Sequence, residues 1–118
     1  GVISFREKDY EKSEQLISKA IRLKPNFEIY DFYAFILFNL GKFDLAIESL
    51  DEVIRLKPDY ELAYFSRALS KQELKDFYGA LADYSKAIEI NPLFADAYLN
   101  LCDLLEKSNK LEELLMIG

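Results

Sequence analysis

The side chains that could do chemistry in this sequence are acids in pairs, one thiol and a few cations. Glu28 with Asp31, the Asp51-Glu52 and Glu112-Glu113 doublets, and Asp96 are the carboxylates that could act as acid and base across a glycosidic bond, a reaction that needs two carboxyls at a fixed separation. Each of them falls on a solvated helix face or in a helical first turn. Charge is expected there for solubility and for the helix dipole. Cys102 is the single cysteine, and the sequence has no histidine to activate it as a nucleophile. The same absence removes the commonest general base and the commonest transition-metal ligand. The four glycines are isolated, so no phosphate-cradling loop is formed. The residues therefore point away from an enzyme, and no metal or cofactor is implied. Cys102 is expected to be a small buried thiol in a packing position.

Composition narrows the partner classes. With 21 acidic and 15 basic residues the net charge is -6, opposite in sign to the basic face that a nucleic-acid binder presents. The apolar runs are too short to span a bilayer, and no basic-then-apolar leader opens the sequence. A protein or peptide partner is thus expected, with no nucleic acid and no membrane, in a cytoplasmic setting. Self-association is left open. The 118 residues begin Gly1-Val2 and place their only methionine at Met116, so they read as a piece of a longer chain.

The elements that position these side chains follow from an internal repeat. Displacing the sequence by 34 residues sets Ala34 over Ala68, Gly41-Lys42-Phe43 over Lys75-Asp76-Phe77, Ala46 over Ala80, and Leu56-Lys57-Pro58 over Ile90-Asn91-Pro92. A period of this length, with apolar residues recurring at three and four, means stacked helical hairpins. The spacing from Pro25 to Pro58 is 33 residues against 34 from Pro58 to Pro92, which places a one-residue deletion in the turn near Glu28. The units run 1–26 (partial), 27–60, 61–94 and 95–118 (partial), about 3.5 repeats in one domain. Gly41 is expected at a left-handed turn, Asp76 as a helix cap, and Asp9 as the cap of a helix from Tyr10 to Leu23. Ser108-Asn109 is expected to turn the chain between one helix, Asp96 to Lys107, and another, Leu111 to Ile117. Small residues (Ala34, Ala68, Cys102, Ala46, Ala80) would let helix backbones approach. Large ones (Tyr30, Tyr64, Tyr98, Leu50, Tyr84) would fill the space between pairs.

The series Tyr64, Arg67-Ala68, Phe77, Ala80, Tyr84, Ala87 and Pro92, at these offsets, resembles the tetratricopeptide repeat across essentially the whole sequence. The resemblance implies an all-α, right-handed solenoid of antiparallel helix hairpins that serves as a protein-interaction scaffold. It also implies that Arg67 pairs within the chain with Asp83, Lys71 standing one turn on, rather than serving as a recognition arginine. First helices line the concave surface in this family. Carried over by position, that geometry nominates Asp31, Phe35, Phe38, Leu62, Phe65, Leu69, Asp96, Leu99 and Asp103, together with Val2 and Phe5. Such a groove is apolar at its floor and acidic at its margins, and suits a peptide with apolar anchors and a basic flank. Family members that grip chaperone tails do so with lysine and asparagine on one first helix, asparagine on the next, and lysine and arginine on the third. The corresponding Asp31, Phe35, Ser66, Asp96 and Asn100 do not match, which argues against that ligand. The alternative function is a structural spacer or self-association segment, its aromatics turned inward or covered by a neighbour.

Overall fold

A computed structural model describes the backbone of residues 2–117 and the side chains of residues 10–107. Six helices follow one another: α1 Val2–Leu23, α2 Phe27–Asn39, α3 Phe43–Leu56, α4 Glu61–Glu73, α5 Phe77–Ile90 and α6 Ala95–Ile117. They divide into two units, Gly1–Asp59 and Tyr60–Gly118.

In the first unit α1 ends ahead of Pro25, as a helix must before a residue that forbids helical geometry in its predecessor. Asn26 then starts α2, its Oδ1 accepting the Ile29 amide at 2.9 Å. α2 closes at Leu40-Gly41, where the Lys42 amide reaches back to the Leu37 carbonyl at 2.9 Å and Gly41 takes φ +77°. The short link folds α3 back against α2. Ala34, Ile36 and Leu37 on one helix, with Ala46, Leu50 and Val53 on the other, are buried. Each large aliphatic among them contributes about 1.5–3 kcal/mol. The buried Ser49 hydroxyl donates to the Tyr30 carbonyl at 2.7 Å.

The second unit repeats the hairpin with α4 and α5, and adds α6. Asp76 caps α5 as expected, its side chain accepting the Gly79 amide at 3.0 Å. The core is Ala68, Ala80, Tyr84 and Leu104, ringed by half-buried Phe65, Leu69, Phe77, Leu81 and Leu101.

Two sequence expectations are corrected at the outer helices. α1 runs unbroken through Lys8-Asp9, and α6 unbroken through Ser108-Asn109, so neither Asp9 nor Ser108-Asn109 marks a turn. A turn gives up helical hydrogen bonds and adopts a left-handed residue, a cost that α2–α3 and α4–α5 offset by burying a long seam. Residues 2–8 and 109–117 are short arms with little seam to offer, and an unbroken helix keeps every i to i−4 bond. Cys102 is the second correction, for it is exposed. Ala34 and Ala68 stand at the same repeat position under α3 and α5. With α6 running straight, no second helix among the described residues lies over Cys102.

Candidate functional site

The outward face of α2 gathers the residues that could recognise something. Phe35 and Phe32, one helical turn apart, stack at 6.3 Å between ring centroids and an interplanar angle of 23°, and Tyr10 of α1 meets Phe35 edge-on at 6.4 Å. Phe32 is 52% exposed and Phe35 55%. The apolar side chains that α2 does bury lie elsewhere on its circumference, so the helix is apolar nearly all round. Glu28 stands exposed in the first turn of α2, with half-buried Asp31 beside it, and α2 contains no lysine or arginine. Asn39 closes the face by donating to the Phe35 carbonyl at 2.7 Å. Phe38 is drawn aside, half-buried and edge-on to Phe43 at 5.2 Å.

The corresponding face of the second unit is built differently. Phe65 packs on Tyr84 at 5.7 Å and on Phe94 at 4.8 Å, and Leu69 joins the same cluster, so both serve the core. Leu62 and Leu99 are exposed, as are Asp96 and Asp103, the latter paired with Lys107 at 3.2 Å. Val2 and Phe5 lie outside the residues whose side chains are described.

Arg67 is held within the unit. Its Nε and Nη2 donate to the two oxygens of Asp83 at 2.8 and 2.7 Å, and Lys71 Nζ lies 2.9 Å from the same carboxylate, which is 4% exposed. The guanidinium also sits 5.4 Å from the centroid of the Tyr64 ring. The half-buried cations are thereby matched to a buried anion. Tyr84 completes the polar network, donating to Gln72 Oε1 at 2.8 Å. Burial of the ring raises its pKa above the ordinary tyrosine value, and a hydrogen bond from Asn100 draws it partly back.

In the first unit a shallow polar trough runs along α1, lined by Glu11, Ser18, Lys19 and Arg22, with Lys42 bound to Glu14 at 2.9 Å. Its mixed charges select neither sign. Among the described residues no group of His, Cys, Asp or Glu could hold a metal ion, and no helix is long and apolar enough to cross a membrane.

Sequence reasoning nominated Phe35 but missed Phe32 and Tyr10. Phe32 was legible, since a residue three before Phe35 shares its face. The repeat register concealed it by aligning it with Ser66. Tyr10 could be found only from the tertiary contact.

Family profiles described as TPR repeat and tetratricopeptide repeat match residues 36–75 and residues 1–27 with 62–92. No curated protein matches the sequence. Among solved structures, the first TPR of Spaghetti (RPAP3) bound to the HSP90 peptide SRMEEVD is 23% identical with a TM-score of 0.82, over 89% of this chain and 84% of that one. The first TPR domain of human RPAP3 gives 23% and 0.83, over 92% and 87%. The second TPR domain of human RPAP3, in complex with the HSP70 peptide SGPTIEEVD, gives 20% and 0.77, over 85% and 84%. At these identities the likeness is one of fold.

Proposed function

Because the chain belongs to the tetratricopeptide repeat family, an all-α scaffold for protein interaction, we propose that it binds, through the outward faces of its first helices, a protein or peptide segment that offers apolar anchors and a basic flank. The observation that carries this reading is the pair of exposed rings Phe32 and Phe35, with half-buried Tyr10 against Phe35, beside Glu28 and Asp31. Half-exposed stacked phenylalanines are a poor solvent-facing surface, and a patch of this kind ordinarily marks an interaction site. The solved neighbours hold peptides ending in Glu-Glu-Val-Asp. This chain sets Asp31 and Phe35, Ser66, and Asp96 and Asn100 where family members of that type use lysine and asparagine, asparagine, and lysine and arginine, so a ligand of the opposite charge suits it better. The surface is one for binding, and its acids lie along a helix face rather than across a cleft.

Selection of short random peptides on the immobilised chain tests the proposal, with Phe35→Glu and Leu62→Glu run in parallel and circular dichroism used to show that each stays helical. Apolar peptides with basic flanks should be enriched on the wild type and lost on Phe35→Glu. No enrichment, or enrichment indifferent to both changes, would remove the proposal.

A second reading, a self-association segment, is favoured by α6. Tyr98 and Leu105 are 43% and 45% exposed, at positions where Tyr30 is half-buried and Leu37 fully buried. Sedimentation equilibrium across a range of concentrations separates the two readings, since only self-association gives a mass that rises with concentration.

A further inference from the structure

Resting on that reading, the geometry points to a specific anchor: the face of α2 takes an arginine of a partner peptide, its guanidinium stacked on Phe32 and paired with Glu28, while the neighbouring apolar residue of the peptide sits on Phe35 and Tyr10. The chain shows the required chemistry on its own guanidinium. Arg67 lies over the Tyr64 ring at 5.4 Å and at the same time forks onto the Asp83 carboxylate. A ring and a carboxylate together satisfy both the planar faces and the edge donors of that group. On α2 the same two elements stand one turn apart and face solvent, Glu28 four residues before Phe32. Side chains on a helix lean toward its N-terminus, so the Phe32 ring is directed toward Glu28.

Charge complementarity selects the occupant. α2 carries Glu28 and Asp31 and no cation, and the chain as a whole has a net charge of -6. Lys57 lies 4.7 Å from the Phe27 ring centroid, so a ring of this same helix already accepts a cation. The polarity is also fixed. Acids occupy the N-terminal turn and aromatics the turns that follow, so the basic end of the peptide lies toward Glu28 and its apolar end toward Asn39. Arginine is preferred over lysine because a planar, weakly hydrated guanidinium stacks on an aromatic face, whereas an ammonium remains in water.

The test uses displayed random short peptides selected on the full chain, followed by synthesis of the best binder and of its arginine-to-citrulline counterpart, which keeps the planar shape and loses the charge. Arginine should be enriched at one position. Citrulline, Glu28→Gln and Phe32→Ala should each weaken binding by up to about tenfold. Peptides that depend on Phe35 yet show no arginine preference and ignore Glu28→Gln would overturn the anchor and leave the interaction surface standing. Failure to select anything, or binders indifferent to Phe35→Glu, would overturn both. Concentration-dependent dimerisation of the chain alone that Phe35→Glu abolishes would put a second copy on this face, and overturns the anchor too.

Discussion

The hairpins α2–α3 and α4–α5 share a backbone plan and fill it with different chemistry. At matching positions the first has Tyr33, Leu37, Ser49 and Leu50, and the second has Arg67, Lys71, Asp83 and Tyr84. One seam is uncharged, its Ser49 hydroxyl donating to a backbone carbonyl and its Tyr33 hydroxyl accepting from Ser18 at 3.5 Å. The other holds a buried carboxylate between two cations and a buried phenol on an amide. The first therefore depends on shape and the second on completed polar pairing. The faces differ in the complementary sense. The first unit leaves Phe32 and Phe35 toward solvent, while the second turns Phe65 and Leu69 into its core. A repeat thus fixes where helices go without fixing which of their faces are free to bind.

The largest effect should come from opening the ionic seam. Asp83→Ala leaves Arg67 and Lys71 half-buried without their carboxylate, and should cost about 3–5 kcal/mol in urea unfolding followed by circular dichroism. Its counterpart Ser49→Ala removes one hydroxyl bond and should cost about 1 kcal/mol. The contrast is sharpened by moving the uncharged seam across. Arg67→Tyr, Lys71→Leu and Asp83→Ser together should recover most of what Asp83→Ala loses, because an uncharged seam has no charge to desolvate. A triple variant no more stable than Asp83→Ala would show that the two seams are not interchangeable and that the comparison is wrong.

Much of this was legible. The hairpins follow from the repeat, the Gly41 turn and the Asp76 cap from local chemistry, and the Arg67–Asp83 pair from the rule that a partly buried arginine is seldom left alone. What was hidden depended on neighbours. Cys102 looks like Ala34 and Ala68 in register, yet its exposure is decided by whether a second helix covers it. Asp9 and Ser108-Asn109 are competent turn residues, and they stay helical because a turn forms only where the folded-back arm buries enough to offset it. Phe35 and Phe65 are similar residues on first helices with opposite fates, set by the contacts of Phe65 with Tyr84 and Phe94. Side-chain periodicity carries no record of those contacts.

An intermediate effect separates the seams by pH. The Tyr84 pKa is raised in the folded state, chiefly by burial. The folded chain therefore holds that proton where the unfolded chain has lost it, and stability falls as pH rises above the unfolded value of about 10. Below that value the contribution is intact. Tyr84→Phe should cost about 1 kcal/mol at neutral pH through the lost bond to Gln72, and should lessen the decline above about pH 10. Leu50, at the same place in the first hairpin, has no proton to lose. Urea midpoints of the wild type and Tyr84→Phe across that range decide it, and parallel curves would remove Tyr84 as the cause.

The smallest expected effect compares the two turns. Gly41 and Lys75 occupy one repeat position and both adopt the left-handed region, at φ +77° and +69°. A side chain with a Cβ is strained there by about 1–2 kcal/mol, so Lys75 carries a strain that Gly41 does not. No heavy atom lies within 4 Å of the place a Cβ on Gly41 would take, and so Gly41→Ala should cost about 1 kcal/mol from the backbone alone, without a clash. Lys75→Gly relieves its strain but gives the unfolded chain about 0.4–1 kcal/mol of extra conformational freedom. Relief of the strain outweighs that freedom, which predicts a net gain of about 0.5 kcal/mol. Opposite shifts in the urea midpoint confirm that the two turns differ only in how they meet one backbone demand. A loss of stability in both would mean that Lys75 contributes contacts worth more than its strain.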